Sequence, residues 1–295
     1  MKKILVFGGS GFLGSHVVDQ LSQSGFEVTI FDKIKSQFIK DNQKMILGDI
    51  LDEKDVNNVV KENDVIYNFA GLADIEESKK NPIGTVKQNI LGNTIILDAC
   101  VKNNIKRYIF GSTVYVYSDL GSFYRVSKQA CENYIEHYNQ TYGLEYTILR
   151  FGSLYGPRSD LKNGIYRFIY QALKEKKITW NGSKNAMREF IHVGDAANCA
   201  VKILEPEFIN QHLILTGQQS ITIENLFIMI QEILKKENIS FNFDENSQSE
   251  HYKITPYIFN PKFGIKFNPD KYIDIGQGLT QMVEEIFEKI RSENS

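Results

Sequence analysis

Tyr124 and Lys128 stand four residues apart in the run Phe123-Tyr124-Arg125-Val126-Ser127-Lys128, a short way past Ser112-Thr113. On a helix that spacing puts the phenol and the ammonium on one face. A cation beside a phenol favours the phenolate and so lowers a pKa that starts near ~10. Such a phenol can take or give a proton near neutral pH. The spacing occurs by chance in many helices, so its meaning depends on what the rest of the chain supplies.

The chain opens with a second chemical element. Gly8-Gly9-Ser10-Gly11-Phe12-Leu13-Gly14 follows an apolar run and precedes a helical pattern, with Gly8, Gly11 and Gly14 spaced as G-x-x-G-x-x-G. Glycines there permit a tight turn, a close backbone approach to a pyrophosphate, and close packing of helix on strand. The helix N-terminus then favours negative charge. Asp32 follows about twenty residues later, at the end of the next apolar run. A carboxylate in that place accepts hydrogen bonds from a ribose 2′-hydroxyl and repels a 2′-phosphate, which favours NAD over NADP. Lys33, its neighbour, weakens that preference slightly.

These residues need a scaffold, and the hydrophobic pattern predicts one. Short β-branched runs at 4–7, 27–31, 44–47, 65–69, 107–111 and 146–150 alternate with helical patterns at 14–24, 52–62, 82–102 and 124–142. Asp49 and Asp52 are the caps expected before the second helix. This alternation means βαβ units and a parallel sheet, an α/β fold of the Rossmann, doubly wound type. After Tyr155-Gly156-Pro157 the rhythm changes. Helices are expected at 165–176, 195–204, 223–235 and 275–291, strands at 178–180, 188–193, 213–216 and 240–243, and a polar loop at 244–251. The expected division is a nucleotide-binding part, 1–157 plus about 187–212, and a smaller mixed α/β part, about 158–186 plus 213–295.

Composition excludes several classes. The 295 residues are 42% hydrophobic with a net charge of −2. That supports a sizeable core and offers no global basic field for nucleic acid. Cys100, Cys131 and Cys199 are scattered in helical, partly apolar contexts, which reads as reduced thiols and not as a disulfide framework or a metal site. No apolar run is long enough to span a bilayer. The apolar stretch after Lys2-Lys3 stops at Gly8-Gly9, too early for a secretory leader, so a cytoplasmic protein is expected.

With the glycine loop, Asp32, Ser112-Thr113, Tyr124 and Lys128 in this order, the chain resembles the extended short-chain dehydrogenase/reductases, and within them the NAD-dependent sugar-nucleotide epimerases and dehydratases. Gly48-Asp49-Ile50 is similar to the family segment that holds the adenine. Phe69-Ala70-Gly71-Leu72 is similar to the segment that lies along the cofactor, and Asn89-Ile90-Leu91-Gly92-Asn93-Thr94 to the family's Asn-x-x-Gly-x-Thr helix. Leu149-Arg150…Leu154-Tyr155-Gly156-Pro157 and Arg188-Glu189-Phe190-Ile191-His192-Val193-Gly194-Asp195 are near-matches in the second half. The resemblance implies NAD held by Gly8, Gly11, Phe12, Leu13, Gly14, Asp32, Lys33, Asp49, Ile50, Phe69, Ala70, Gly71, Leu72, Asn89, Ser112, Tyr124 and Lys128. It makes Tyr124 the acid/base on a sugar hydroxyl, Lys128 the cation that lowers its pKa and bonds the nicotinamide ribose, and Thr113 the partner of the same oxygen. Ser153 and Arg188 would join Thr113 and Tyr124 in holding a nucleotide-diphosphate sugar, Arg188 through its pyrophosphate. Arg188 could instead form an ion pair, and His192 would fix a turn. A homodimer through helices 82–102 and 124–142 is also implied.

Departures from the family pattern narrow the expectation. Val114-Tyr115 stands where dehydratases carry an Asp-Glu pair, so dehydration ranks low. The connection 118–123 is short, which should leave the site more open there. Gly152 is small where an aromatic is common and should leave room; Ser153 replaces an asparagine. A second phosphate-binding arginine is missing, with Lys253 as a substitute. The leading expectation is an NAD-dependent nucleotide-sugar 4-epimerase; the alternative is a 4-ketoreductase using the same residues in one direction. A non-catalytic NAD-sensing protein would predict a damaged Tyr/Lys/Thr set, and here it is intact.

Overall fold

Lys3–Phe7 forms strand β1, and every residue after Lys3 is buried. A strand covered on both faces needs a continuous apolar run in place of alternation, and Ile4-Leu5-Val6-Phe7 is one. In the computed structural model, which describes residues 2–235, 238–244 and 251–256, β1 is the centre of the architecture. The helix expected at 275–291 and most of the loop at 244–251 lie outside the described residues.

From β1 the chain passes through α1 (Phe12–Gln23), β2 (Glu27–Asp32), β3 (Gln43–Leu47), α2 (Glu53–Val60) and β4 (Val65–Asn68). It continues through α3 (Ile75–Lys80), α4 (Pro82–Thr85), a π-helical stretch at Val86–Leu91, α5 (Gly92–Lys102), β5 (Arg107–Thr113), a 3-10 turn at Val114–Tyr117, α6 (Ser122–Tyr142) and β6 (Glu145–Phe151). Then come β7 (Ser153–Tyr155), α7 (Gly164–Glu175), β8 (Lys177–Trp180), β9 (Met187–His192), α8 (Val193–Lys202), β10 (Gln211–Leu215), β11 (Ser220–Thr222), α9 (Ile223–Leu234) and β12 (Ser240–Phe243).

Seven strands form one sheet in the order β10-β6-β5-β4-β1-β2-β3, and every neighbouring pair is parallel. The order reverses between β1 and β4. The loops leaving those two strands therefore flank a crevice at the strand ends, the place where open α/β sheets bind ligands. One apolar core, with Phe7, Phe31, Ile96, Leu97 and Tyr108, covers one face of the sheet. A second, with Ile4, Val17, Leu21, Ala196 and Ala200, brings α1 and α8 onto the other. β7, β9 and β11 make a small sheet. A third core, around Phe168, Ile178 and Phe227, joins α7, α9 and the parallel pair β8–β12.

Several elements differ from the expectation, among them the short strands β7 and β11, which the pattern does not predict. The pattern at 82–102 is helical throughout, but Val86–Leu91 is wound as a π-helix, and such wide turns recur at functional sites. Helix α3 is unexpected because Glu76-Glu77-Ser78-Lys79-Lys80 has no apolar stripe. Its start is fixed by a cap, the Asp74 carboxylate accepting the Glu77 N–H at 2.7 Å.

Candidate active site

A cavity of about 1390 Å³ opens at the crevice. Its cofactor end is built by the loop after β1. Gly8 has φ +77, and an added Cβ there would lie 2.6 Å from the Ala70 backbone nitrogen, so only glycine lets the loops after β1 and β4 touch. Gly14 packs its bare Cα on the Gly8 carbonyl, 2.1 Å from where a Cβ would sit. At the start of α1, Gly11 is the N-cap and supplies no side-chain acceptor. The first amides of the helix are thus left to an anion, as a bound pyrophosphate requires. Asp32 lines the cavity, and its carboxylate accepts the Ser10 N–H and the Ile34 N–H, each at 3.1 Å. Those bonds orient the carboxylate at the end of β2, where a ribose hydroxyl would meet it.

The other expected cofactor residues divide. Gly8, Gly11, Phe12, Lys33, Asp49, Ile50, Phe69, Ala70, Gly71 and Leu72 line the cavity. Leu13 does not; it packs against the second core. Asn89 is buried in the π-helical stretch and acts on the loop: its Oδ1 accepts the Leu72 N–H at 2.7 Å, and its Nδ2 donates to the Leu72 carbonyl at 3.0 Å and to Ser127 Oγ at 2.8 Å. It shapes the 69–72 wall from behind. Ser112 also turns away from the cavity. Its hydroxyl donates to Glu132 Oε1, and Glu132 is held in turn by Arg150 at 2.6 Å.

The reacting end is formed by β5 and α6. Thr113 is the last residue of β5 and caps the following turn, its Oγ1 accepting the Tyr115 N–H at 3.3 Å. Thr113 and Tyr124 both line the cavity, close enough for the Thr113 hydroxyl to favour the phenolate of Tyr124. Burial pushes the Tyr124 phenol up to about 12, and the Thr113 hydroxyl pulls the other way. The sequence reading, a phenol lowered by the neighbouring Lys128 cation, leaves this burial out. Lys128 is buried, and its Nζ donates to the Gly111 carbonyl at 2.7 Å. The nitrogen lies 4.4 Å from the centre of the Phe110 ring and 5.9 Å from that of Tyr124. Burial lowers the Lys128 pKa, opposed by Cys131 and Glu132.

At the substrate end, Ser153 and Arg188 line the cavity. Arg188 is 4% exposed, its Nη1 donates to the Met187 carbonyl at 2.9 Å, and its guanidinium lies 4.4 Å from the centre of the Tyr252 ring. It has no carboxylate partner among the described residues, so the ion-pair alternative is not what is found. Burial lowers its pKa, opposed by the Tyr252 and Tyr115 phenols. Lys253 is exposed and is not in the cavity wall; Arg167, in the first turn of α7, is. The cap Asn163 placed it there, a signal the helical pattern carries once its start is fixed. Gly152 lines the cavity, and a Cβ there would meet the Thr216 methyl at 2.9 Å. The side expected to be open is lined by Tyr115 and His251. His192 caps α8, its Nδ1 accepting the Gly194 N–H at 3.2 Å. Among the described residues there is no cluster of metal-binding side chains and no helix long and apolar enough to cross a membrane.

Known proteins share this fold. The chain is 31% identical to a putative UDP-glucose 4-epimerase of Methanocaldococcus jannaschii, covering 95% of this chain and 97% of that protein. It is 27% identical to UDP-glucuronic acid decarboxylase 2 of Arabidopsis thaliana, over 98% of this chain and 69% of that one. Among solved structures, a UDP-N-acetylglucosamine 4-epimerase from Methanobrevibacter ruminantium, in complex with UDP-N-acetylmuramic acid, superposes with a TM-score of 0.79 at 28% identity, covering 88% and 89% of the two chains. A UDP-glucuronic acid 4-epimerase from Bacillus cereus, solved with UDP-glucuronic acid and NAD, gives 0.79 at 26% identity over 88% and 90%. The family model matches residues 4–214, the span that carries the glycine loop, Thr113, Tyr124 and Lys128, and on that match the chain belongs to the NAD dependent epimerase/dehydratase family.

Proposed function

We propose that this protein is an NAD-dependent 4-epimerase of nucleotide-diphosphate sugars, with UDP-sugars as the first candidates. The observation that carries the reading is that Thr113 and Tyr124 share the wall of the cavity whose other end is the glycine loop and Asp32. NAD, the family's cofactor, would supply acceptance and return of hydride at the sugar C4, by way of a 4-keto sugar.

The chain's own groups supply the rest. Tyr124 moves the proton on and off the C4 oxygen. Thr113 donates to the phenolate and helps hold that oxygen. Lys128, kept in place by the Gly111 carbonyl, adds positive potential beside the phenol and reaches the nicotinamide ribose. Arg188 engages the substrate pyrophosphate. The layer of α7, β8, α9 and β12 forms the substrate-binding part. Val114-Tyr115 offers no carboxyl pair for dehydration. We place the enzyme in the cytoplasm as a homodimer through α5 and α6, where Tyr134 and Tyr142 are exposed.

The deciding experiment incubates the purified protein, without added cofactor, with a panel of UDP-, dTDP-, GDP- and CDP-sugars. Interconversion of C4 epimers is the expected result. Stoichiometric oxidation of added NADH or NADPH by a 4-keto sugar, without interconversion, would replace the epimerase by the reductase. Turnover unchanged in Tyr124→Phe would remove the catalytic assignment altogether.

A further inference from the structure

Tyr115 and His251 are 136 residues apart in the chain, yet the phenol oxygen and the imidazole Nδ1 lie 2.6 Å apart. Both side chains line the cavity together with Thr113 and Tyr124. Neither is placed loosely. The Tyr115 N–H is held by Thr113 Oγ1. On the opposite side the ring rests on Gly121, where φ is +103 and an added Cβ would approach Tyr115 Cδ1 to 2.6 Å. The short 118–123 connection is thus fitted to this ring. His251 belongs to a segment anchored to β9 by the Met187 N–H, which donates to the Lys253 carbonyl at 2.7 Å.

The position of Tyr115 along the cavity follows from its neighbours. Its ring packs on Tyr252 with centroids 4.7 Å apart, and Arg188 lies over the other partner of that stack, 4.4 Å from the Tyr252 centroid. Toward the reacting end it stands two residues from Thr113, close enough to Tyr124 for that phenol to disfavour the ionisation of Tyr115. Tyr115 therefore lies between the acid–base phenol and the buried guanidinium. If Tyr124 meets the reacting sugar carbon and Arg188 the pyrophosphate, the part of the ligand spanning them is the sugar ring itself.

We infer that Tyr115 and His251 act as one hydrogen-bonding unit that recognises the sugar's hydroxyl groups, and so set which sugar is accepted; this rests on the nucleotide-sugar reading above. The pair suits the task. A phenol bonded to an imidazole can donate to or accept from a sugar hydroxyl by a concerted switch of its own hydrogen bond, and removing the phenol hydroxyl takes that bond away. Sites built this way discriminate by deleted hydroxyl more strongly than apolar pockets do.

The test uses titration calorimetry on the full chain, with UDP, UDP-glucose and UDP-galactose as probes, repeated with the dTDP and GDP series. Tyr115→Phe keeps the ring on Gly121 and Tyr252 and removes only the hydroxyl. It should weaken the sugar nucleotides by roughly tenfold or more while leaving UDP unchanged. His251→Ala should do the same, and the double variant should be no worse than the worse single one, as expected of a coupled pair. Equal weakening of UDP and UDP-sugar, or no weakening of either, overturns the inference while the nucleotide-sugar reading survives. Failure of the wild-type chain to bind any of the three series sinks both. Thermal melts of each variant, expected within a few degrees of wild type, separate loss of recognition from loss of fold.

Discussion

Lys128 gives a hydrogen bond of 2.7 Å to the Gly111 carbonyl while its nitrogen stands 5.9 Å from the centre of the Tyr124 ring. In the function proposed above, the cation would act on the phenol through space, from a fixed point. In a buried site such a field is poorly screened. Replacing Lys128 by Met keeps the stem's volume and removes the charge. Turnover should fall on the order of 10²-fold, with the Kd for UDP unchanged. A variant that keeps wild-type turnover would show that the ammonium is structural.

The Thr113 hydroxyl opposes what burial does to Tyr124. The neutral phenol is favoured by desolvation, so the phenolate fraction, and any rate that needs it, rises with pH up to the folded pKa. Thr113 stabilises the phenolate, hence its removal pushes that pKa higher. A hydrogen bond to a charged group is worth about 1.5–3 kcal/mol, or about 1–2 pH units. Thr113→Val should move the ascending limb of the kcat/KM profile to higher pH by that amount and lower activity at neutral pH in proportion, whereas Thr113→Ser should keep the wild-type limb. An unmoved limb in the valine variant would assign Thr113 to the cap of the 3-10 turn alone.

What the sequence shows of this site is what local chemistry dictates. The strands are legible because burial on both faces demands continuous apolar runs such as Ile4-Leu5-Val6-Phe7, and the glycine loop because a close backbone approach excludes side chains at fixed intervals. Ser112, Asn89 and His251 are not legible, because their roles are set by partners far along the chain: Glu132, Leu72 and Tyr115. His251 in particular ends a polar stretch whose pattern says only loop. The neighbour of Gly152, Thr216, is likewise far along the chain. The pKa of Tyr124 could not be read from i,i+4 spacing, because spacing reports a neighbouring charge and says nothing of desolvation.

The Asp32 oxygens hold the Ser10 and Ile34 amides, and in the proposed function its charge would also oppose a 2′-phosphate; one substitution can separate the two. Asp32→Asn retains an acceptor and removes the charge. The ratio of NADP to NAD affinity, measured by nucleotide titration, should rise about tenfold or more, with a modest loss in NAD affinity from the weakened loop. A ratio that stays put would mean that the carboxylate serves only the turn.

Arg188 predicts opposite signs for stability and binding. A guanidinium that is 4% exposed and has no carboxylate partner among the described residues costs desolvation free energy in the ligand-free protein. Its one hydrogen bond to the Met187 carbonyl and its place over Tyr252 offset part of that cost. Arg188→Met fills a similar volume with apolar atoms. The melting temperature should therefore hold or rise, while affinity for UDP falls roughly tenfold or more, as expected when a charge-assisted contact to a diphosphate is lost. A structural arginine would show the reverse pattern, a lower melting temperature with UDP affinity intact. Because the two readouts move in opposite directions under the two roles, one variant and two measurements decide between them.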